Sequence, residues 1–202
     1  QFPGLSLWLS LVITAFVGLV MGLVNGFIVT RFNVHSIIVT LGTLSLYRGL
    51  VFIVSGGRQI DRNDIPEHVV AFSQTSFLFS IPAILIFSAV IVIITHLVMR
   101  HSVLGREIYA TGSNPIAAHL KGINVTKVTL FCFGVCGMLA GVAGLFYASR
   151  FGYVNPGVTG VGIEFIVIAG VIIGGTSITG GSGSVLGTFL GILLLGIINV
   201  AL

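Results

Sequence analysis

The chain has 202 residues, of which 55% are hydrophobic and 7% are charged, and its formal net charge is +4. Soluble domains carry about 25% charged residues, so this composition and a mean hydropathy of +1.15 exclude an ordinary water-soluble domain. The basic residues are scattered over polar segments, where positive charge orients a membrane chain, and this pattern argues against a nucleic-acid-binding protein.

Long apolar runs predict an all-α membrane protein, a polytopic transmembrane helix bundle of about six spans, because a helix needs about 20 apolar residues to cross the hydrocarbon core. We expect one transmembrane domain over residues 1–202. The chain begins without methionine and ends within an apolar run, which predicts a fragment truncated at both ends. The predicted spans are 5–29, 36–55, 77–99, 128–149, a short fifth span at 162–174, and a sixth from 185 onward.

The distribution of charge predicts the orientation of these spans. Segment 100–127 is a polar loop that carries four basic residues and one acid, and segment 30–36 carries Arg31. Segment 56–76 carries two basic and three acidic residues, and 150–161 carries only Arg150. Because basic loops stay on the cytoplasmic side, 30–36 and 100–127 are predicted to face the cytoplasm, and the other two segments the outside.

Glycines recur every four residues in several apolar runs. Small residues at this spacing let helix backbones approach closely in lipid, where no hydrophobic effect drives helices together. Chance could produce one pair, but two tandem triplets predict a tightly packed bundle. The triplets are Gly18, Gly22, Gly26 and Gly183, Gly187, Gly191, and the pairs are Gly137, Gly141 and Gly170, Gly174.

Segment 174–184 is rich in glycine and has no charge. It fits a sharp cytoplasmic turn between two spans, and it also fits a re-entrant or broken helix beside a wet cavity. It lacks the Lys-Ser/Thr ending of a phosphate-binding loop, so we do not expect a nucleotide there.

The sequence shows no catalytic constellation and no metal site. None of the five histidines has a second ligand at metal spacing, and Cys132 and Cys136 are interpreted as small core residues with reduced thiols. Ionisable residues are few in the spans, and the candidates for a functional role are Arg48 in the second span and Glu164 at the start of the fifth. A snorkelling arginine and a helix N-terminal acid are the plain alternatives. Most hydroxyls inside spans bond to their own helix. The candidate residues for a path taken by a neutral polar solute are Asn25, Thr40, Thr43 and Glu164.

Residues 114–122 predict a short amphipathic helix. Asn114 fits the N-cap, Pro115 the first turn and Gly122 the stop. Ile116, Leu120 and Ile123 could share one face. Such a helix either rests on lipid or docks onto a soluble partner, and the sequence leaves both open.

Three groups of residues together resemble a known family, the ABC importer permeases of the ribose/simple-sugar and autoinducer-2 type. The resemblance covers most of the chain. The first group lies in the predicted cytoplasmic loop, the second in the second span and the third in the glycine-rich turn. They are Gly105-Arg106, Tyr109-Ala110, Gly112, Asn114, Ala117-Ala118 and Gly122-Ile123-Asn124; 39–43 with Tyr47-Arg48-Gly49; and 174–177 with Gly180-Gly181, Gly183 and Gly187-Thr188.

The resemblance implies a permease dimer, of two copies or two paralogues, in the bacterial inner membrane. A separate cytoplasmic ATPase pair would bind ATP, so this chain itself would be no enzyme and would bind no cofactor. A periplasmic or lipid-anchored solute-binding protein would meet segments 56–76 and 150–161. The 114–122 helix would couple to the ATPase, and the residues implied in coupling are Gly105, Arg106, Asn114, Ala117, Ala118 and Gly122.

The sequence therefore predicts the transmembrane subunit of an importer for a small neutral sugar or sugar-like solute. Two alternatives stay open. One is a facilitator or secondary transporter, although the scarcity of charge within the spans argues against ion coupling. A membrane scaffold subunit that transports nothing is the other.

Overall fold

The computed structural model describes residues 6–65, 76–77 and 81–201. Within these ranges the chain folds into eight α-helices, one 3-10 turn (Arg62–Asp64) and a pair of antiparallel two-residue strands. The predicted all-α class is confirmed. The helices are α1 (Leu7–Phe32), α2 (Ser36–Ser55), α3 (Ala83–His101), α4 (Val103–Ser113), α5 (Pro115–Leu120), α6 (Val125–Phe151), α7 (Ile163–Ile173) and α8 (Val185–Ala201), and the strands are β1 (Ser76–Phe77) and β2 (Ile81–Pro82).

Four helices, α1, α2, α3 and α6, are long and apolar enough to cross a membrane. The 11 residues of α7 extend only about 17 Å at 1.5 Å per residue, against a hydrocarbon core of about 30 Å. The 17 residues of α8 extend about 26 Å. The chain is therefore a multi-pass membrane protein in which the fifth apolar helix is too short to cross alone.

The predicted span 36–55 matches α2, whereas the third predicted span starts too early. Helix α3 begins at Ala83 because Ile81–Pro82 pairs with Ser76–Phe77 as a strand. Helix α6 extends three residues further towards its N-terminus, and two further towards its C-terminus, than the predicted 128–149. The start of the first predicted span, residues 78–80 and residues 66–75 of the predicted outer loop lie outside the described residues.

The prediction that residues 100–127 form a loop is wrong over 103–113, which form α4. Ser102 caps this helix, and its hydroxyl oxygen accepts a hydrogen bond from the Gly105 backbone N–H at 3.0 Å. Ser113 ends it, and the N–H of Asn114 donates to the Ala110 carbonyl. The apolar Val103, Leu104 and Ile108 supplied a helical signal that the many polar residues masked.

The long helices expose most of their apolar side chains. Trp8 is 75% exposed and Phe16 63%, on a helix that has no charged residue before Arg31. Such a surface is stable only against lipid or other chains. The buried hydrophobic residues within the described ranges are few, namely Val39, Ala118, Val128 and Val142.

The chain divides into two compact units, one of residues 1–86 and 129–159 and the other of residues 87–128 and 160–202. In the first unit α1 and α6 pack antiparallel through glycine. A Cβ at Gly18 would overlap the carbonyl oxygen of Gly137, and a Cβ at Gly22 that of Phe133. A Cβ at Gly141 would overlap the Thr14 carbonyl. The predicted close packing of Gly18, Gly22 and Gly26 is confirmed.

The second unit contains a similar contact between α7 and α8. A Cβ at Gly191 would overlap the Gly170 carbonyl, and one at Gly187 would overlap that of Gly174. The order of these pairs makes the helices antiparallel. Gly183 differs from the prediction, because it precedes α8 and lies against Thr176 of the glycine-rich turn.

The interpretation of both cysteines as core residues is wrong for Cys136. Both thiols are free, Cys132 is half-buried and Cys136 is exposed. The reason is the helical register of α6, whose contact face towards α1 carries Gly134, Gly137 and Gly141 and leaves Cys136 beside it.

We predict that Gly137→Ala destabilises the protein whereas Gly144→Ala does not. Both glycines lie in α6, but a methyl group at 137 would press on the Gly22 backbone, within 2.9 Å of its nitrogen, and one at 144 meets no atom within 4 Å. Overpacking of this kind costs about 1–3 kcal/mol. Thermal unfolding in detergent measures the difference, and equal midpoints for the two variants would contradict the packing described here.

Candidate functional site

The short helix α5 is capped at its N-terminus as the sequence predicts. The Oδ1 atom of Asn114 accepts hydrogen bonds from the N–H groups of Ile116 at 3.1 Å and Ala117 at 3.0 Å. Pro115 occupies the first helical position, where its missing N–H needs no partner. The start of this helix is therefore fixed by two adjacent residues.

The C-terminal end of α5 is closed by a pair of reversed hydrogen bonds around Gly122. Gly122 has a φ of +83°, which favours glycine. Its N–H donates to the His119 carbonyl at 2.9 Å, and the Ile123 N–H donates to the Ala118 carbonyl at 3.1 Å. This is a Schellman motif, so hydrogen bonds fix both ends of the short helix α5.

Helix α5 presents an apolar surface to the outside of the chain. Ile116 is 76% exposed and Leu120 82%, while Ala118 on the opposite face is 3% exposed. Ala117 is also exposed. Ile116 and Leu120 thus share an exposed face as predicted, whereas Ile123 lies beyond the end of the helix and is half-buried. Ala118 holds the helix against its own chain.

Helix α4 is fixed to the end of α3 through Gly105. Gly105 is buried, and a Cβ there would overlap the Met99 carbonyl. Of the residues predicted for coupling, Gly105 is therefore placed inside the packing between α3 and α4, whereas Arg106 beside it is exposed.

The other end of α4 contacts the glycine-rich turn. The Tyr109 hydroxyl donates a hydrogen bond to the Gly183 carbonyl at 2.9 Å, 74 residues away in the chain. A Cβ at Gly112 would lie 2.7 Å from the Gly181 nitrogen. Residues 174–184 therefore lie beside the 100–127 segment. This contact fits a turn between two spans and also a re-entrant or broken helix, and the short α7 agrees with the second. Sequence reasoning found both segments but not their contact.

The same part of the second unit contains a cavity of about 400 Å³. Its wall comes from the last turns of α3, from α4 and from the start of α8. Two arginines line it, and none of the described residues in its wall carries a carboxylate. The lining residues are His96, Met99, Arg100, Arg106, Tyr109, Gly183, Ser184 and Val185.

Three of the predicted path residues lie in the first unit, on α1 and α2. The Tyr47 hydroxyl donates to the Met21 carbonyl at 3.1 Å and lies 3.3 Å from the Oδ1 atom of Asn25. Thr40 and Thr43 share a helical face with Tyr47, but their hydroxyls donate to carbonyls of α2 itself. Sequence reasoning missed Tyr47, although its spacing from Thr40 and Thr43 was visible.

The fourth predicted path residue, Glu164, belongs to the second unit. It lies in the first turn of α7, where the helix dipole favours a carboxylate, and it is half-buried. The position of Glu164 is therefore explained by the preference for an acid at a helix N-terminus, and it does not require a solute path beside this residue.

The turns that follow α2 and α6 are joined to each other. Ile60 and Val154 form a β-bridge in which each N–H donates to the other carbonyl at 2.9 Å. The Asn155 amide donates to the Gln59 side-chain oxygen at 3.4 Å. These two turns were predicted to share the outer side of the membrane, and their contact agrees with that arrangement.

Apolar spans, small-residue helix contacts and two capped helices on a polar segment define a polytopic membrane protein. The chain belongs to the family described as branched-chain amino acid transport system / permease component, whose profile matches residues 2–202. Together with the two import permeases described next, this membership confirms the resemblance inferred from the three groups of residues.

Two relatives illustrate the similarity. The autoinducer 2 import system permease protein LsrC of Yersinia enterocolitica is 37% identical over 192 residues, which are 95% of this chain and 52% of that protein. The ribose import permease protein RbsC of Haemophilus influenzae is 34% identical over 200 residues, 98% of this chain and 61% of that protein. The chain thus spans between half and two thirds of these relatives. No solved structure matches it.

We predict that Tyr109→Phe loosens the glycine-rich turn. The substitution removes the hydrogen bond to the Gly183 carbonyl, which contributes about 1 kcal/mol. Hydrogen exchange of residues 176–184 is expected to become several times faster. The matched control is Tyr153→Phe at an exposed tyrosine of the turn after α6, and equal exchange in the two variants would show that Tyr109 does not hold the turn.

Proposed function

We propose that this chain is the membrane-spanning permease part of an ATP-binding-cassette importer in the bacterial inner membrane, which translocates a small neutral sugar or sugar-like solute. Family membership and the two import permeases among its relatives support the proposal. The observation that carries it is α5, a helix capped at both ends whose exposed residues include the apolar Ile116, Ala117 and Leu120. We propose that a separate ATPase subunit binds and hydrolyses ATP, and that this chain binds no cofactor.

The exposed face of α5, which points away from the rest of the chain, is the proposed contact with the ATPase. Ala117, Ile116 and Leu120 are exposed there, and a short helix with apolar anchors fits a groove in a soluble partner. Asn114 and Gly122 fix the two ends of the helix, and Ala118 seats it on the chain. In this scheme Gly105 acts indirectly, because it is buried between α3 and α4.

Helix α4 is the proposed route by which movement of α5 reaches the spans. Asn114 is both the C-terminal cap of α4 and the N-cap of α5, so the two helices cannot turn independently. Gly105 ties α4 to α3, and Tyr109 and Gly112 tie it to the turn before α8. A displacement of α5 would therefore move α3 and the α7–α8 pair together.

The remaining proposed roles concern the solute and the other partners. We propose that Asn25, Thr40, Thr43 and Glu164 line the path of the solute, with Tyr47 added because it contacts Asn25. The joined turns at Ile60 and Val154 present a single surface to a solute-binding protein. A second permease copy or paralogue would cover part of the exposed apolar surface, and lipid the rest.

We predict that Ala117→Trp abolishes ATP-driven solute uptake while the permease still folds. The indole would occupy the space that the proposed ATPase groove needs, since Ala117 is exposed. The control is Thr126→Trp, an exposed position in the first turn of α6, which is expected to retain uptake. Uptake is measured in proteoliposomes with the partner ATPase. Normal uptake by Ala117→Trp would rule out docking through α5, and uptake without the ATPase would favour a facilitator.

The predicted orientation is tested by labelling introduced cysteines. Ala117→Cys is expected to react with an impermeant maleimide only from the cytoplasmic side, and Val158→Cys only from the outside. Both positions are exposed, and the native thiols belong to the span α6. Labelling of Ala117→Cys in intact cells would place α5 on the wrong side for an ATPase.

A further inference from the structure

We propose that the cavity at the end of α3 binds the phosphate group of an anionic lipid. The lining of this cavity of about 400 Å³ includes His96 and Arg100 on α3, Arg106 and Tyr109 on α4, and Ser184 before α8. All lining residues belong to the second unit. The inference requires the membrane location of the chain but not its transport role, so the two can fail separately.

The charge of the cavity points to an anion. Arg100 and Arg106 both line it. Neither forms a salt bridge with another described residue, since the salt bridge found among the described residues joins Arg58 and Asp64. Glu107 follows Arg106 in the chain but is not part of the wall. Two guanidinium groups around one cavity repel each other, and a bound anion would offset that repulsion.

The donor groups suit a phosphate. A guanidinium offers paired N–H donors in a planar fork that matches phosphate oxygens, and such charge-assisted hydrogen bonds are short and strong. The start of α8 adds a smaller contribution, since Ser184 and Val185 bring the positive end of a helix to the same wall. The cavity, whose volume corresponds to on the order of ten water molecules, has room for a hydrated phosphate.

The position of the cavity selects a lipid over a soluble phosphate. Helix α3 is a 19-residue apolar helix with Arg100 and His101 in its last turn, so these residues lie where the hydrocarbon ends and the head groups begin. Anionic lipid head groups are concentrated at that depth on the cytoplasmic face, and basic pockets between spans are suited to bind them. Ile93 lies one turn before His96 on the cavity side of α3 and is exposed, so it can contact an acyl chain.

Native mass spectrometry of the full-length permease in detergent tests the proposal. The probes are phosphatidylglycerol, phosphatidylcholine and glycerol 3-phosphate. We expect one tightly retained phosphatidylglycerol per permease chain and about tenfold weaker binding by Arg100→Gln/Arg106→Gln, since hydrogen bonds to charged groups are lost. The control Arg31→Gln/Lys127→Gln removes two exposed basic residues from segments predicted to lie on the same side and outside the cavity, and it is expected to bind like the wild type.

Each other outcome overturns the proposal or part of it. Equal lipid binding by the cavity variant and the wild type removes the site. Equal losses in both double variants would mean that only net charge attracts the lipid. Displacement of phosphatidylglycerol by an equal concentration of glycerol 3-phosphate would assign the site to soluble phosphates. If the double variant does not fold, the single variants Arg100→Gln and Arg106→Gln replace it, each with about threefold weaker binding expected.

Discussion

Close contact between helix backbones at glycine is the interaction on which the described packing depends. In lipid the apolar side chains gain little by leaving their surroundings, so helices associate through close packing and hydrogen bonds. The few buried hydrophobic residues within the described ranges could not hold the long helices together. At Gly18, Gly22, Gly137 and Gly141, by contrast, even one methyl group would overlap the facing backbone.

Glycine contacts also hold the second unit together, in which α7 is too short to span the membrane. The glycine contacts hold α7 and α8 together. The segment that connects these two helices, residues 174–184, contacts α4. The Thr176 and Thr188 hydroxyls, 3.1 Å apart, tie this connection to α8, and Tyr109 ties it to α4. The glycine-rich turn thus belongs to the packed structure and does not merely link two helices.

Local features of the sequence were sufficient to predict most helices and the ends of α5. Run length placed α2 at its observed bounds, and Asn114, Pro115 and Gly122 carry cap preferences that act within a few residues. Helix α4 was missed because its apolar residues are few and lie among polar ones. The contact of Tyr109 with Gly183 joins residues 74 apart, and a single sequence contains no signal for such a pairing. Both partners of that contact line the cavity, so the sequence could not predict the cavity either.

The fixed geometry around α4 also explains why the proposed coupling helix can be so short. Six residues make too little contact to resist rotation on their own, and isolated helices of that length are unstable in water. Here Asn114 alone separates α5 from α4 and caps both, and α4 is held at Gly105 and Gly112 by backbone contacts that tolerate no side chain. A force applied to α5 therefore meets a stiff connection to α3 and to the turn before α8. Under the proposed function, that stiffness is what converts closure of a soluble ATPase into movement of helices within the membrane.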